Sequence, residues 1–267
     1  MRVLVTNDDG VRTPGIAALA MAVVEAGHDV VVAAPCDDRS GASAAIGGMD
    51  ADETIEVEPV ELAGLAGVPC YAVSGAPALI VIAASLGGFG PPPALVTSGI
   101  NPGLNTGRAV LHSGTVGAAL SAANLGRSGL AVSLGVGSCF HWSTAASLAV
   151  TALDWLAGQP ARSVINLNVP NVELEELRGV RDASLAPFGT VRAALVDSQG
   201  TGLQVELAGE GEAGHGEAGH GDEPPPDSDT ALVQAGWATT SFLTGIGAIG
   251  RPEVAAAIQH GLLARSG

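Results

Sequence analysis

The chain contains no lysine: all eleven of its basic residues are arginine, against 27 aspartate and glutamate residues. The formal net charge of −16 would repel a nucleic-acid backbone, so we expect no nucleic-acid polymer as a partner. The absence of lysine also excludes a Schiff base, a Walker-type phosphate lysine and a lysine general base. A bound phosphate would therefore depend on arginine, hydroxyls, backbone N–H groups or a metal ion.

Cysteines and long apolar runs are also scarce. The three cysteines, Cys36, Cys70 and Cys139, are widely spaced, which fits free thiols in a reducing cytosol rather than a disulfide framework. The richest apolar stretch, residues 76–86, is too short to cross a bilayer, so we expect no transmembrane helix and no membrane partner. The first residues show no basic region followed by a long apolar run, so export is not signalled and we expect a cytoplasmic protein.

Apolar strand-like runs alternate with helical patterns over the first 170 residues. Residues 2–6 predict a buried strand, Thr13-Pro14 begins a helix that ends near Gly27, and residues 29–34 predict the next strand. The alternation continues with strands at 68–73, 94–98, 130–134 and 163–169 and helices at 76–86, 115–125 and 143–156. This pattern predicts an α/β fold, a three-layer αβα sandwich around a mostly parallel, Rossmann-like sheet.

Beyond Pro170 the pattern changes to short strand-like stretches at 191–196, 203–207 and 237–243, followed by a helical pattern at 252–264. We therefore divide the chain into an α/β core, residues 1–170, and a smaller β-rich C-terminal appendage, residues 171–267, that belongs to the same domain. Within the appendage, residues 209–229 contain a direct Glu-Ala-Gly-His-Gly repeat and three consecutive prolines, which predicts a mobile acidic loop.

Polar segments follow three of the predicted strands. Asn7-Asp8-Asp9-Gly10 follows the first strand, residues 37–43 (Asp-Asp-Arg-Ser-Gly-Ala-Ser) follow the second, and residues 99–107 follow the strand at 94–98. Ligands bind outside the carboxyl ends of strands in open parallel sheets, so these segments are the candidate site. Adjacent carboxylates repel each other unless a cation lies between them, and hard oxygen ligands suit Mg²⁺, Mn²⁺ or Ca²⁺.

Residues 112–119 (His-Ser-Gly-Thr-Val-Gly-Ala-Ala) place hydroxyls and glycines at the start of an apolar helix, where free N–H groups can face an anion. A metal ion beside an anion site is the chemistry of phosphate-ester hydrolysis.

Each segment also has a simpler interpretation. Asn-Asp-Asp-Gly is often only a turn, Ser-Gly-Thr only a helix cap, and His112 either a general acid or only a loop residue. The coincidence of several polar segments at successive strand ends favours the functional interpretation.

In combination and order, these segments resemble the SurE family, stationary-phase survival proteins that are metal-dependent 5′/3′-nucleotidases. The resembling residues begin at Val3 (VLVTNDDG), Ala34 (AP, then DRSGAS from Asp38), Ser98 (SGINPGLNTG) and Ser113 (SGTVGAA), and they span roughly the first half of the chain. The resemblance implies one divalent ion per subunit, Mg²⁺ or Mn²⁺, held by Asp8, Asp9, Ser40 and Asn101. The residues that it places around a phosphate are Asn7, Gly41, Ser43, Asn105, Ser113, Gly114 and Thr115.

The expected reaction is hydrolysis of nucleoside 5′- or 3′-monophosphates, small phosphomonoester substrates. The ion would lower the pKa of a bound water that attacks phosphorus in line, while the helix start at residues 113–115 neutralises the phosphoryl oxygens. Asp8 and Asp9 are the candidate catalytic residues, and either could accept the proton. The resemblance also implies a homodimer or homotetramer joined through the C-terminal extension.

The sequence departs from the family pattern at several positions. Where the family usually has Gly-Thr-Pro-Ala-Asp, residues 75–79 are Gly-Ala-Pro-Ala-Leu, and a familiar Thr-Asp pair near the end appears as Ser228-Asp229-Thr230. The change at residues 76–79 leaves open a phosphatase of the same mechanism that acts on another small phosphomonoester. A non-catalytic ligand-binding module is a third interpretation. A phospho-receiver is disfavoured because that fold needs a lysine near a later strand end.

Overall fold

The computed structural model describes residues 1–47, 54–187, 223–246 and 252–253, together with the backbone of 192–196 and 204–208. The strands in these parts are β1 (Arg2–Thr6), β2 (Asp29–Pro35), β3 (Val57–Pro59), β4 (Cys70–Val73), β5 (Leu95–Pro102), β6 (Ser128–Leu134), β7 (Val164–Val169), β8 (Val180–Asp182), β9 (Arg192–Val196), β10 (Gln204–Ala208) and β11 (Ala238–Leu243). The α-helices are α1 (Pro14–Glu25), α2 (Pro77–Ser85), α3 (Gly114–Asn124), α4 (Trp142–Ala157) and α5 (Asp229–Gln234). Short 3₁₀ helices lie at Gly107–His112 and Leu174–Glu176.

The strands form one large mixed sheet in the order β3-β4-β2-β1-β5-β6-β7-β11-β8. The central run from β4 to β7 is parallel throughout, whereas β3 and β11 pair antiparallel with their neighbours at its two sides. These central strands read as continuous apolar runs because the sheet is covered on both faces. The prediction of a mostly parallel α/β sheet is confirmed.

Helices cover both faces of this sheet. Helices α1 and α4 pack against each other on one face, and α2 and α3 pack against each other on the other. Alternate residues of β1 serve the two cores: Val3 and Val5 join the cluster that contains Ile16 of α1, and Leu4 joins the cluster that contains Ile80 of α2. The predicted three-layer αβα sandwich is therefore present.

The strand order reverses at β1. From β1 the chain moves to β2 on one side, and it later returns to β5 on the other side, so β1 has β2 and β5 as its two neighbours. In open α/β sheets the loops diverge at such a point and leave a crevice outside the carboxyl ends of the strands. The segments that follow β1, β2 and β5 lie at this edge, as the sequence predicted.

The described strands beyond residue 170 divide between the main sheet and a separate pair. Strand β11 pairs with β7 and β8 pairs with β11, so both strands extend the main sheet, whereas β9 and β10 form a separate antiparallel pair. Pairing with β11 satisfies the backbone groups along the open side of β7. The short strand β8 escaped prediction because all of its residues are exposed and its sequence shows no apolar alternation.

Two predicted features fall largely outside the described residues. Of the helix expected at 252–264, only residues 252–253 are described, and residues 209–222 of the expected acidic loop are not described. The end of that predicted loop differs from expectation, because Ser228 and Asp229 are fully buried and Asp229 begins helix α5. Among the described residues, no helix combines the length and the apolar character that crossing a membrane requires.

Candidate metal and phosphate site

The segment after β1, residues 7–13, forms a turn that Asn7 closes with its side chain; we call it the carboxylate loop. The Asn7 amide donates to the Gly10 carbonyl at 3.0 Å and to Thr13 Oγ1 at 2.9 Å, and Asn7 Oδ1 accepts from the Gly10 N–H at 3.2 Å. Gly10 has φ +109°, which favours glycine at this turn. Asn7 therefore shapes the loop that presents Asp8 and Asp9, and its expected phosphate contact stays a prediction.

Asp8 of the carboxylate loop packs against the first residues of helix α3. Its Oδ1 accepts a short hydrogen bond of 2.5 Å from the Thr115 hydroxyl, and Asp8 is buried. Gly114 packs directly on this carboxylate, since a Cβ atom at Gly114 would lie 2.6 Å from Asp8 Oδ2. The structure thus places two of the residues predicted near phosphate, Gly114 and Thr115, against a predicted metal ligand.

Asn101 brings an amide oxygen to the same hydroxyl. Thr115 Oγ1 lies 3.4 Å from Asn101 Oδ1, and the Asn101 amide nitrogen donates to the Gly103 carbonyl at 2.7 Å. That second bond fixes which end of the amide faces Thr115. The sequence placed this residue in a loop, but β5 continues to Pro102, and its pairing with β6 shifts register between Ser98 and Asn101. Such a bulge re-aims a side chain at the end of a strand.

Residues 36–47, which we call the serine loop, begin at the end of β2 and rest on the same site. The Arg39 N–H donates to the Asp8 carbonyl at 2.7 Å. Ser40, which is exposed, donates its backbone N–H and its hydroxyl to Asp38 Oδ1 at 2.8 Å and 2.6 Å. Ser43 donates its hydroxyl to the Leu111 carbonyl at 2.6 Å. The serine loop is therefore anchored to both neighbouring loops.

Three residues of the serine loop, Ser40, Gly41 and Ser43, were predicted to bind the ion or the phosphate. Gly41 is exposed with φ +79° and lies beside Ser40, whose hydroxyl hydrogen is directed to Asp38. A hydroxyl that donates to a carboxylate keeps its oxygen lone pairs free for a cation. The expected roles of Ser40 in metal binding and of Gly41 and Ser43 in phosphate binding stay predictions.

Burial and mutual repulsion raise the pKa values of the paired carboxylates. The pKa of Asp8 is raised, mainly because burial disfavours its charged form, although the Thr115 hydrogen bond opposes this. The pKa of Asp9 is raised from 3.8 to about 7 by burial and then by the charges of Asp8 and Asp38. By contrast, the hydrogen bond from the Ser40 hydroxyl lowers the pKa of Asp38. Within the described residues, none of these three carboxylates forms an ion pair.

The oxygen atoms of this site suit a hard divalent cation. Asp9 Oδ2 is buried without a hydrogen-bond partner, and the oxygens of Asp8 and Asn101 converge on the Thr115 hydroxyl. Carboxylate, amide and hydroxyl oxygens are the ligands that Mg²⁺ and Mn²⁺ accept. The described residues contain no cluster of three or more His, Cys, Asp or Glu side chains, so a bound ion would depend on the two carboxylates together with neutral oxygens. The residues present fit such an ion.

Residues 103–113, which we call the anion loop, connect β5 to helix α3. At its end Ser113 caps the helix, because its Oγ accepts the Val116 N–H at 3.1 Å. Ser113 therefore caps the helix, whose start lies beside Asp8, and the expected contact of Ser113 with phosphate stays a prediction. A helix N-terminus carries partial positive charge and favours negatively charged groups.

Asn105 of the anion loop is held by the strands beneath it. Its N–H donates to Asn168 Oδ1 at 2.8 Å, and its carbonyl accepts from the amides of Asn166 and Asn168 at 2.8 Å and 2.9 Å. The Asn105 amide donates to Ser133 Oγ at 2.8 Å. Its predicted phosphate contact stays untested, whereas its structural role is to fasten the anion loop to β6 and β7.

Several residues of the site carried no predicted role. Asp38 orients Ser40, Ser133 holds Asn105, and Asp229 binds the anion loop from the C-terminal part of the chain. The Asn-x-Asn pair of β7 was visible in the sequence, and two buried amides in one strand are a usable signal because buried polar groups require partners. Nothing in the sequence near Asp229 indicated that it contacts residue 107.

A second concave surface lies elsewhere. An apolar groove of about 590 Å³ is lined by residues of α4, β7, β8 and β11, among them Trp155 and Phe242. Trp155 is 51% exposed there. Its ring meets that of Phe242 edge-on at 6.3 Å. None of the groove's lining residues belongs to the carboxylate, serine or anion loops.

Known proteins share this arrangement of sequence and fold. The family model described as "Survival protein SurE" matches residues 3–192, which include all three loops. The chain belongs to the SurE family. The "5'/3'-nucleotidase SurE" of Cronobacter sakazakii is 41% identical over 184 residues, 68% of this chain and 68% of that protein. The "5'-nucleotidase SurE" of Aeromonas hydrophila is 39% identical over 183 residues, covering 68% of this chain and 70% of that protein.

The fold of this SurE-family chain extends the likeness beyond the matched sequence. The crystal structure of the SurE protein from Aquifex aeolicus superposes with a TM-score of 0.73 at 25% identity, covering 97% of this chain and 99% of that one. The family match ends at residue 192, whereas the structural likeness covers 97% of the chain. The resemblance inferred from the sequence motifs is confirmed.

Proposed function

We propose that this SurE-family chain is a divalent-metal-dependent phosphomonoesterase that hydrolyses nucleoside 5′- or 3′-monophosphates. The observation that carries the proposal is the convergence of Asp8 and Asn101 oxygens on Thr115 at the start of helix α3. The names of the relatives, 5′-nucleotidase and 5′/3′-nucleotidase, support the same activity. As the family resemblance implies, the proposal includes a homodimer or homotetramer.

The proposal gives separate residues the tasks of binding the ion, fixing the Asp8 carboxylate and binding the phosphate. Asp8, Asp9, Ser40 and Asn101 would hold one Mg²⁺ or Mn²⁺ ion, which when bound supplies a Lewis acid that acidifies water and neutralises phosphoryl charge. The Thr115 hydroxyl and the packing of Gly114 fix the Asp8 carboxylate. The free N–H groups at the start of α3 offer a place for phosphoryl oxygens.

Asp9 is the better placed of the two aspartates to accept a proton. Its Oδ2 has no hydrogen-bond partner, whereas Asp8 Oδ1 is engaged by Thr115. A general base must have a free lone pair within reach of the proton that it removes. In this proposal Asp8 would serve mainly in ion binding, and Asp9 could serve in both tasks.

The test is phosphate release from nucleoside 5′- and 3′-monophosphates, glycerol phosphate and sugar phosphates, each with Mg²⁺, Mn²⁺ or EDTA. We expect Asp8→Asn to lower kcat/KM at least about 1,000-fold, since it removes charge from the metal site. Glu25→Gln, at the exposed end of α1, changes the net charge equally and should leave the rate unaltered.

Each alternative gives a different result in this panel. Activity that persists in EDTA, or in Asp8→Asn, would contradict the metal-dependent scheme. Faster release from sugar or glycerol phosphates than from any nucleotide would support the second interpretation, a phosphatase for another phosphomonoester. No release from any ester, with nucleotide binding retained, would support a ligand-binding module.

A further inference from the structure

Asp229 is a fully buried carboxylate far from the predicted catalytic residues in sequence. It is 0% exposed, and no arginine or histidine of the described residues forms an ion pair with it. Removing a carboxylate from water is costly unless hydrogen bonds replace its hydration. The donors that replace water therefore show what this side chain holds in place.

These donors are backbone N–H groups from three separate segments, together with the Thr230 hydroxyl, which lies 3.5 Å from Asp229 Oδ1. Asp229 Oδ2 accepts from the Gly107 N–H at 2.8 Å, and Oδ1 accepts from the Ala186 N–H at 3.0 Å and the Thr230 N–H at 2.8 Å. Gly107 lies 122 positions away in the anion loop, and Ala186 follows strand β8. A further bond, from the Arg108 N–H to the Ala186 carbonyl at 3.1 Å, joins two of these segments directly.

The contact with Gly107 is placed where it controls the anion loop. Gly107 begins the 3₁₀ helix that leads into Ser113 and helix α3, and it follows Asn105 by two positions. Asn105 is fastened to β7 through Asn166 and Asn168. The loop is thus held by the sheet on one side of Thr106 and by Asp229 on the other.

Capping helix α5 does not account for this carboxylate. Ser228 is the N-cap residue of α5, and its Oγ accepts the Ala231 N–H at 3.4 Å. Asp229 Oδ2 points instead to the anion loop. A bond from a backbone N–H to a charged acceptor is stronger than one between neutral groups, which suits a side chain that fixes a loop.

We propose that Asp229 is a positioning residue for phosphate binding: its carboxylate holds the anion loop so that Asn105 and the start of helix α3 are preset around the substrate phosphate. This inference rests on the proposed phosphomonoesterase function. It assigns a part of the active centre to the chain beyond residue 170, which we expected to form a β-rich extension of the same domain and part of the oligomer interface. Asp229 touches neither the substrate nor the metal ligands and acts through the loop.

The experiment compares Asp229→Asn with two neighbouring controls in the full chain. Asp227→Asn makes the same chemical change at an exposed position, and Ser228→Ala removes the α5 cap without touching the anion loop. Inorganic phosphate serves as the probe, through its inhibition constant. Magnesium affinity by calorimetry, KM and kcat, and hydrogen exchange of amides 106–109 are measured alongside.

Asp229→Asn is expected to raise KM and the phosphate inhibition constant about 10-fold, with kcat and magnesium affinity changed less than about 3-fold. Exchange at residues 106–109 should become faster. Both controls should leave phosphate binding and exchange in the anion loop as in the wild type, even where Ser228→Ala lowers the melting temperature. In the wild type, the Gly107 amide should exchange slowly, which provides a test that needs no variant.

Several results would overturn the inference. A Gly107 amide that exchanges as fast as an exposed loop amide would show that the bond to Asp229 does not hold the loop. Unchanged phosphate inhibition in Asp229→Asn, or equal effects in Ser228→Ala, would reduce Asp229 to a structural residue. If the wild type releases no phosphate from any ester and does not bind it, the proposed function fails and the phosphate role fails with it. The exchange data would then still decide whether Asp229 fixes the loop.

Discussion

The two sides of the candidate site are built by contacts of very different range. The carboxylate loop is closed by Asn7, whose partners Gly10 and Thr13 lie three and six positions away. The anion loop is held by partners 61 and 63 positions from Asn105 and 122 positions from Gly107. The turn of the carboxylate loop is therefore closed by residues near it in sequence, whereas the anion loop is held by β7 and by the C-terminal part of the chain.

This difference separates the two chemical tasks of the site. Asp8 and Asp9, which we expect to bind the ion, belong to the short-range side. Asn105 and the residues that lead into helix α3, which we expect to bind phosphate, belong to the long-range side. Substitutions that affect only one side should therefore separate metal affinity from phosphate affinity, and substitutions where the sides touch should impair both.

Among the substitutions that test this comparison, the largest effect is expected where the two sides touch, at Gly114. A Cβ atom there would lie 2.6 Å from Asp8 Oδ2 and 2.8 Å from Asp8 Cβ, so Gly114→Ala must displace the carboxylate. A displacement of about 1 Å can cost on the order of 100-fold in rate, and we expect at least that loss in phosphate release. Calorimetric titration should show weaker magnesium binding as well.

The control for this substitution is Gly158→Ala at the end of α4, where the added Cβ meets its nearest atom at an ordinary 3.6 Å. It should retain the wild-type rate and magnesium affinity. Retention of both properties by Gly114→Ala would show that Asp8 can shift without consequence, and the idea of a rigid contact between the two sides would fail.

A smaller and more selective effect is expected at Asn168. Asn168→Ala removes the acceptor of the Asn105 N–H and one of the two donors to the Asn105 carbonyl, which keeps its bond from Asn166. We expect a loss of about 1–3 kcal/mol in the free energy of unfolding. The phosphate inhibition constant should rise about 10-fold while magnesium affinity stays within about 2-fold of the wild type.

Asn171→Ala is the matched control, because Asn171 makes comparable bonds to the backbone of residues 139 and 141 outside the site. It should destabilise the protein without altering phosphate inhibition. A parallel loss of magnesium and phosphate affinity in Asn168→Ala would contradict the separation of the two sides.

The smallest expected effect concerns the stability of the metal-free protein against pH. The pKa of Asp9 is about 7 in the folded chain against an ordinary 3.8, so the folded state holds this proton more tightly than the unfolded chain. The resulting stabilisation is complete below about pH 4 and is lost as the pH rises through 7. In EDTA, the melting temperature of the wild type should therefore fall relative to Asp9→Asn, by a few degrees, between pH 5 and pH 8.5.

Glu25→Gln, which alters the net charge equally at an exposed site, should follow the wild-type pH profile. Saturating Mg²⁺ should reduce the difference between the wild type and Asp9→Asn at high pH, if the ion compensates the buried charge. A constant difference across the pH range in EDTA would show that Asp9 titrates normally in the folded chain.

The sequence predicted the elements that repeat a strong pattern and missed those without one. Helix α2 was expected at 76–86 and lies at Pro77–Ser85, because a continuous apolar run bounded by Pro and Gly-Gly identifies a buried helix. Strand β8 and helix α5 were missed. The first is exposed and three residues long, and the second has six residues, so neither displays a periodicity that could be recognised.

The sequence predicted which residues belong to the candidate site better than it predicted which of them contact each other. Asp8 and Asp9 were selected because adjacent carboxylates repel each other unless a cation lies between them, and because polar segments follow several strands at the same sheet edge. Thr115 was assigned to phosphate, whereas the structure shows its hydroxyl bound to Asp8. That bond joins residues 107 positions apart, and no local pattern predicts such a pairing. The same holds for Asp229 and Gly107.

Local sequence alone determined the alternating helices and strands, the turn that presents two carboxylates, and membership of the SurE family through its motifs. The helices and strands follow from the periodicity of apolar side chains, the turn follows from contacts within a few residues, and the family follows from short motifs. Only the tertiary structure decided that Thr115 faces Asp8, that β7 holds Asn105, and that a carboxylate beyond residue 228 anchors the anion loop. The reason is physical: a buried polar group needs a partner, and the sheet order determines which distant residue comes within hydrogen-bonding reach.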